Sequence, residues 1–361
     1  MIADVLARTV PVLVFLVAIT VVAELSERAG VFAAAARGAA RLAGGRVWRL
    51  WALVVVLATA ATVVLSLDTT AVLLTPVVLA LARQLRLPTG LLAMTTVWLA
   101  NTGSLLLPVS NLTNLLSLHR MQALGVGIGG FVRLTWLPAL VSVLLTVVVL
   151  AVMFRSELRG SYVVPDRVAA DDPVLLRVSA AVCLLLGPAF VSGVQVAYPA
   201  STAALLLVVL FLVRDRAALR WALLPWKILV IVLVLFVGVQ WLSDHGLAAL
   251  LAGAAGSGEG FVAYLRMAGV AALGANGVDN LPAYLALEPV ADDSAPRLVA
   301  LLIGVNVGPL VTLWASLATL LWRERCRVND VAVPWWRFAL RGLALVPLLL
   351  VACCGALSLT A

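Results

Sequence analysis

The chain has 361 residues, of which 64% are hydrophobic and 12% charged, and its mean hydropathy is +1.13. Apolar windows of about 20 residues recur from end to end, and runs such as LLLVVLFLV do not alternate in polarity, so the composition excludes a soluble domain and a β-barrel and predicts an all-α polytopic membrane protein. The net charge of +8 does not indicate a nucleic-acid partner, because Arg and Lys lie between the apolar segments rather than on one face.

The apolar windows predict about eight full membrane spans. They cover residues 9–26, 90–118, 134–153, 174–193, 196–213, 226–243, 296–322 and 338–359. Two further apolar segments, 47–87 and 260–290, carry polar residues at their centres, around Asp68 and Asp279. Because a charge at the centre of a spanning helix costs about 3 kcal/mol, we expect each segment to form a re-entrant hairpin that returns to the side it entered from.

The basic residues predict the orientation of these segments. With both hairpins re-entrant, 20 of the 25 Arg and Lys residues fall on one side, which is therefore expected to be cytoplasmic. The other side keeps Arg8, Arg120, Arg133, Arg266 and Arg297. The protein is predicted to lie in the cell (inner or plasma) membrane, with both termini facing the outside. Arg266 lies in the first arm of the second hairpin, where we expect it either to extend to the outer surface or to contact an anion.

Two predicted spans are interrupted by polar residues at matching positions. With an offset of 205 residues, LANTGSLLLPVSNLTNLL (99–116) and VNVGPLVTLWASLATLL (305–321) share Asn-x-Gly and a second small polar group about ten residues later. In the hairpins, an offset of 211 sets Asp68 on Asp279. The chain therefore divides into a first repeat, 1–154, with hairpin 47–87 and broken helix 90–118; a cytoplasmic connector, 155–173; and a second repeat, 174–361, with hairpin 260–290 and broken helix 296–322.

The two repeats are predicted to face opposite ways, because five spans separate the start of the first span from the start of the span at 226–243. In such inverted repeats, the broken helices meet at the membrane midplane and form the binding site. We therefore predict a substrate and ion site from the polar residues of the two tips and the two breaks: Asp68, Thr69, Thr70, Asn101, Thr102, Gly103, Ser110, Asn111, Asn114, Asn276, Asp279, Asn280, Asn306, Gly308, Ser316 and Thr319. The alternative is that these residues only hydrogen-bond between helices, as small polar residues commonly do.

The sequence contains no pattern typical of an enzyme. The four cysteines show no CxxC spacing and no histidine partner, and they are Cys183, Cys326, Cys353 and Cys354. GVGIGG (125–130) lacks the flanking strand of a dinucleotide site, and no Walker A motif occurs. We therefore expect no cofactor, no metal site and no enzymatic activity. Energy for transport would come from a gradient or from a separate subunit.

These motifs resemble the arsenical pump membrane protein family, a branch of the ion-transporter superfamily that includes sodium–dicarboxylate carriers. The resemblance rests on LDTTAVLLTPVVLALAR (67–83), the break at 99–116, DNLPAYL (279–285) and GVNVGPLVTLWASLATLLW (304–322). It implies an inverted repeat with two hairpins and the export of arsenite or antimonite in exchange for protons. The resemblance also implies a possible soluble ATPase partner, because some permeases of that family work with one. The chain departs from the family pattern at Asn101 and Asn306, where the family commonly has acidic residues.

Two transport functions follow as hypotheses. The first is a secondary active transporter that exports a neutral metalloid hydroxide, since arsenite near neutral pH is mostly As(OH)3 and suits an Asn-rich pocket. The alternative, in the same superfamily, is a cation-coupled organic-anion transporter or a Na+/H+ exchanger, in which Asn and carbonyl groups hold Na+. The expected partners are arsenite or antimonite, the coupling ion (H+ or Na+) and membrane lipid, with a homodimer left open and no nucleic acid.

Overall fold

The computed structural model describes residues 2–165, 171–192, 194–220, 223, 224, 226, 230, 234, 238 and 241–361. Within these ranges the chain is helical and contains no β-strand, because a helix satisfies its own backbone hydrogen bonds in an apolar membrane. Six of the described helices are long and apolar enough to cross a membrane, judged by length and composition. The prediction of an all-α polytopic membrane protein is confirmed. Most of the predicted span 226–243 lies outside the described residues.

The helices before the middle of the chain are α1 (Ile2–Arg28), α2 (Val31–Leu42), α3 (Val47–Leu65), α4 (Leu67–Thr69), α5 (Thr75–Gln84), α6 (Thr89–Thr102), α7 (Leu112–Ala123), α8 (Ile128–Met153) and α9 (Arg155–Leu158). Those that follow are α10 (Pro173–Val191), α11 (Ala197–Arg214), α12 (Ala248–Ala255), α13 (Phe261–Gly277), α14 (Asn280–Ala291), α15 (Ala295–Val307), α16 (Leu317–Val328) and α17 (Trp335–Thr360). The helices α8, α10, α11 and α17 match the predicted spans 134–153, 174–193, 196–213 and 338–359.

The first predicted hairpin bends sharply at Ser66, whose backbone φ is +126°. The hydroxyl oxygens of Thr62 and Thr70 lie 2.8 Å apart across this bend, whereas residues eight apart on a straight helix are separated by about 12 Å. Both α3 and α5 pack on α6. The arms on either side of the bend, Val47–Leu65 and Leu67–Gln84, are 19 and 18 residues long and could each cross a membrane by length. Their return to one side stays a prediction.

The two predicted broken helices are interrupted at equivalent positions. The helix α6 ends at Thr102 and α7 begins at Leu112, while α15 ends at Val307 and α16 begins at Leu317. All four boundaries obey the offset of 205 residues, and so do the ends of α7 and α16. The caps match as well, since Asn111 and Ser316 each accept a hydrogen bond at the N-terminus of the following helix. The opposite orientation of the two repeats stays a prediction.

The two hairpin tips match at an offset of 213 residues, not 211. Ser66 and Asp279 share an unusual backbone conformation, with φ of +126° and +141° and ψ of 163° and 158°. Each side chain caps the next helix, Ser66 by accepting from the N–H of Thr69 and Asp279 by accepting from the N–H of Leu281. The predicted pairing of Asp68 with Asp279 is therefore wrong by two residues. The prediction aligned the two tips by their acidic residues, but the position of each bend is set by the residue that caps the next helix.

Two glycines permit the close approach of α15 to α13. A Cβ atom on Gly304 would lie 2.5 Å from the Cβ atom of Ala271, and one on Gly308 would lie 2.6 Å from that of Ala272. Small residues spaced four apart commonly allow membrane helices to touch through their backbones. This contact places Gly308, the C-cap of α15, directly against the first arm of the second predicted hairpin.

We expect Gly308→Ala to destabilise the protein, because the added methyl group meets the Cα atom of Ala272 at 2.8 Å as well as its Cβ. Such overpacking costs about 1–3 kcal/mol. The matched control is Gly269→Ala in α13, where a new Cβ atom meets nothing within 4 Å. Thermal unfolding of the detergent-purified proteins checks this, and equal melting temperatures for the two variants would contradict it.

Candidate functional site

Asn101 joins the break after α6 to the break before α16. Its Oδ1 atom accepts a hydrogen bond from Ser316 Oγ at 2.9 Å, and its Nδ2 atom donates to Thr319 Oγ1 at 3.3 Å. Ser316 also caps α16 by accepting from the N–H of Thr319 at 3.1 Å. The side-chain amide of Asn101 in the first repeat therefore hydrogen-bonds to two side chains at the N-terminus of α16 in the second repeat.

Asn306 makes the reciprocal connection. Its Oδ1 atom accepts from Asn111 Nδ2 at 2.8 Å and from Thr113 Oγ1 at 3.1 Å, while its Nδ2 atom donates to Asn114 Oδ1 at 2.7 Å. Asn111 is the residue that caps α7. We call the residues of these two connections the amide network; its members are Asn101, Asn111, Thr113, Asn114, Asn306, Ser316 and Thr319.

The amide network is buried. Asn101, Asn114, Asn306 and Ser316 have no exposed surface, and Asn111 is 4% exposed. An unpaired polar group in an apolar environment costs several kcal/mol, so mutual pairing explains how the two helix breaks are tolerated. In this conformation the network residues contact one another directly rather than across an open space.

Two predicted residues of the first hairpin hold its bend, and one of the α6–α7 break ties the break to α3. Thr69 donates its backbone N–H to Ser66 Oγ at 3.3 Å, and Thr70 Oγ1 donates to the Ser66 carbonyl at 3.4 Å. Ser110 Oγ donates to the Val63 carbonyl at 3.0 Å, which ties the break to α3. These contacts give Thr69, Thr70 and Ser110 a structural task in this conformation.

Asn276 holds the break between α15 and α16. Its Nδ2 atom donates to the Gly308 carbonyl at 2.8 Å, and its Oδ1 atom accepts from the backbone N–H groups of Val311 and Thr312 at 3.2 and 3.0 Å. Thr312 returns a hydrogen bond from Oγ1 to the Asn276 carbonyl at 2.9 Å. The first arm of the second hairpin is thereby joined to the unwound segment.

Thr102, Gly103 and Asn280 lie next to these contacts. Thr102 Oγ1 donates to the Trp98 carbonyl within α6 at 2.8 Å, Gly103 is the C-cap of that helix, and Asn280 is the buried first residue of α14. Their place in a binding site stays a prediction.

Asp68 faces a cavity of about 230 Å³ between the tip of the first hairpin and α1. Its Oδ1 atom is buried and has no hydrogen-bond partner within the described part of the chain. Thr20 and Glu24 of α1 line the same cavity, as do Val109 and Leu112 on either side of Asn111. The cavity thus extends from an acidic side chain at the hairpin tip to the edge of the amide network.

Sequence reasoning missed four residues of this region. Ser66 directly precedes the quoted LDTT motif, and serine is among the strongest helix caps, so its role could have been found. Thr113 lies in the segment 99–116, and Thr312 lies in the break between α15 and α16. Glu24 gave no local signal, because only folding brings α1 to the hairpin tip.

Arg266 caps a helix in this structure, and its extension to the outer surface or contact with an anion stays a prediction. Its Nε and Nη2 atoms donate to the carbonyls of Ala254 and Gly253 at 2.7 and 2.6 Å, at the C-terminal end of α12. Arginine commonly binds such unpaired helix carbonyls. Arg297 is used similarly, since its Nη2 atom donates to the Gly256 carbonyl at 2.8 Å.

Comparison with known proteins gives the class of the molecule. The family model described as citrate transporter (CitMHS) matches residues 5–319. The chain belongs to this family. Arsenical pump membrane proteins of Escherichia coli strain K12, Shigella flexneri and Yersinia enterocolitica are each 28% identical over 370 residues, which cover 93% of this chain and 83% of the relative. The predicted resemblance to that family is confirmed, and this citrate transporter family member is a multi-pass membrane transporter of the ion-transporter type.

Proposed function

We propose that the chain is a secondary active transporter that exports arsenite or antimonite in exchange for protons. The observation that supports this most is the reciprocal amide network between the two helix breaks. Arsenite near neutral pH is mostly As(OH)3, whose three hydroxyl groups donate and accept hydrogen bonds as the network side chains do. Such a solute can replace network bonds one for one, so no buried amide is left unpaired when the breaks separate.

The charges beside the network favour a neutral solute over an organic anion. Asp68 and Glu24 line the cavity that reaches Leu112, and the described lining contains no Arg or Lys. Like charges repel strongly where the effective dielectric constant is low. Two carboxylates in a lining without Arg or Lys would therefore disfavour a citrate-like anion in this cavity, whereas an uncharged hydroxide is indifferent to them and a proton is attracted.

The second candidate function is cation-coupled organic-anion transport or Na+/H+ exchange. It is favoured by the name of the matching family and by the N-termini of α7 and α16, which both begin at the amide network. Helix N-termini carry a partial positive charge and can bind anions. The two candidates differ in the charge of the solute and are separated by the assay below.

The proposal includes a cell-membrane location and an orientation. The two repeats are inverted, both hairpins are re-entrant, the side rich in Arg and Lys is cytoplasmic, and both termini lie outside. Neither a soluble ATPase nor a second copy of the chain is required for it.

Transport by a host that lacks its own arsenite efflux tests the proposed function. Cells that express the chain should grow at arsenite concentrations that stop a vector control. Everted membrane vesicles from these cells should accumulate arsenite when their lumen is acidified, and a protonophore should abolish the uptake. Accumulation of citrate but not arsenite would contradict the proposal, and uptake driven by a Na+ gradient alone would favour the second candidate.

A further inference from the structure

The cavity at Asp68 is lined by a second acidic residue, Glu24. Glu24 lies on α1, and Thr20 precedes it by four residues on the same helix. Residues four apart share one face of a helix, and both line the cavity that contains Asp68. The two carboxylates therefore border one space, although their positions in the sequence are far apart.

The two acidic residues have different charged surroundings. The helix α1 ends at Arg28, so Glu24 is about 6 Å along its axis from the end that the basic residues place in the cytoplasm. Among the described residues, the charges that act on Glu24 are those of Glu27, Arg28 and Arg325, whereas the charge that acts on Asp68 is that of Asp279. Glu24 is thus half-buried beside the charged end of α1, and Asp68 lies in the interior of the protein.

The space between them suits proton transfer. The cavity has a volume of about 230 Å³, and one molecule of liquid water takes about 30 Å³, so it can hold several waters. Its lining residues include Thr20, Ser66 and Thr69, each of which carries a hydroxyl group. Asp68 lines this space, and its Oδ1 atom is buried without a hydrogen-bond partner among the described residues, so no neighbouring donor competes there with a proton that reaches the carboxylate.

We propose that Glu24 is the group through which the coupling proton passes between Asp68 and the cytoplasm. This inference rests on the proposed proton-coupled function. In the transfer, an O–H bond of the protonated Asp68 breaks and an O–H bond forms on the Glu24 carboxylate. Glu24 then releases the proton to cytoplasmic water, so the step needs no other reactant.

Glu24→Gln tests the inference in proteoliposomes that contain the full chain. The amide cannot carry the proton, so arsenite uptake driven by a pH gradient should fall by about 100-fold, the low end for loss of a positioned proton-transfer group. Exchange of labelled for unlabelled arsenite without a gradient should stay close to the wild-type rate. The matched control is Glu27→Gln, since Glu27 is exposed on the same helix and does not line the cavity. Normal gradient-driven uptake by Glu24→Gln, with arsenite transport intact, would overturn the inference and leave the proposed function standing.

A second measurement is independent of the substrate. Dicyclohexylcarbodiimide modifies protonated carboxyl groups in apolar surroundings, and mass spectrometry of the purified protein locates the adduct. We expect modification of Glu24 that alkaline pH prevents and Na+ does not. If the protein modifies in this way but transports no arsenite, the proposed substrate fails and the proton role of Glu24 stands. Absence of the adduct, or protection by Na+ at constant pH, would overturn the inference.

Discussion

Asn306→Ala is expected to abolish arsenite transport and to lower the stability of the purified protein. The change leaves Asn111 Nδ2, Thr113 Oγ1 and Asn114 Oδ1 without the partner that each has in the amide network. A buried group that loses its partner costs about 1–3 kcal/mol in soluble proteins. Even at the membrane average of about 0.6 kcal/mol for each hydrogen bond, the three bonds together give about 2 kcal/mol.

Thermal unfolding and vesicle uptake measure this effect, and Asn329→Ala is the matched control. Asn329 donates to the Arg325 carbonyl at 2.9 Å at the far end of α16, away from the amide network. A double-mutant cycle sharpens the test, because Asn306→Ala and Asn114→Ala remove the same bond and should not be additive. Asn101→Ala and Asn114→Ala affect separate connections and should be nearly additive. An Asn306→Ala protein as stable and active as the control would refute the role of the network.

The helix breaks could be predicted because their causes are local. Asn-x-Gly and a second polar group ten residues later occur twice in a chain where most residues are apolar. A polar group in a membrane needs a partner, so its recurrence at a fixed offset marks the same structural element in both halves. The ends of α6 and α15 and the starts of α7 and α16 agree with that offset.

The register of the hairpin tips could not be predicted from residue type. A helix cap can be Ser in one tip and Asp in the other, because either side chain accepts a backbone hydrogen bond. The sequence-based prediction therefore paired Asp68 with Asp279, whereas the structural equivalent of Asp279 is Ser66. The hydrogen-bond partners of the network amides could not be predicted either. The sequence does not distinguish an Asn that faces a cavity from an Asn that is hydrogen-bonded to another Asn.

With the corrected register, the carboxylates of Asp68 and Asp279 have different structural roles. Asp279 caps α14 at a φ of +141°, and Asn has nearly the same side-chain shape and is an equally good cap. Asp68 follows the cap and does not form it, and within the described chain its Oδ1 atom is buried without a partner. The same substitution, Asp to Asn, therefore removes a charge at both tips but should spare the helix cap at both.

We expect Asp68→Asn to lose gradient-driven arsenite export by about 100-fold or more, because an amide cannot bind and release the coupling proton. Arsenite exchange without a gradient should persist, and the melting temperature should stay near that of the wild type, since no hydrogen bond of Asp68 Oδ1 is lost. Asp279→Asn is the comparison: its cap is preserved, and we expect it to retain most of its gradient-driven export. Uptake into proteoliposomes with and without a pH gradient measures both variants. Full gradient-driven export by Asp68→Asn would show that this carboxylate does not carry the proton, whatever the fate of Asp279→Asn.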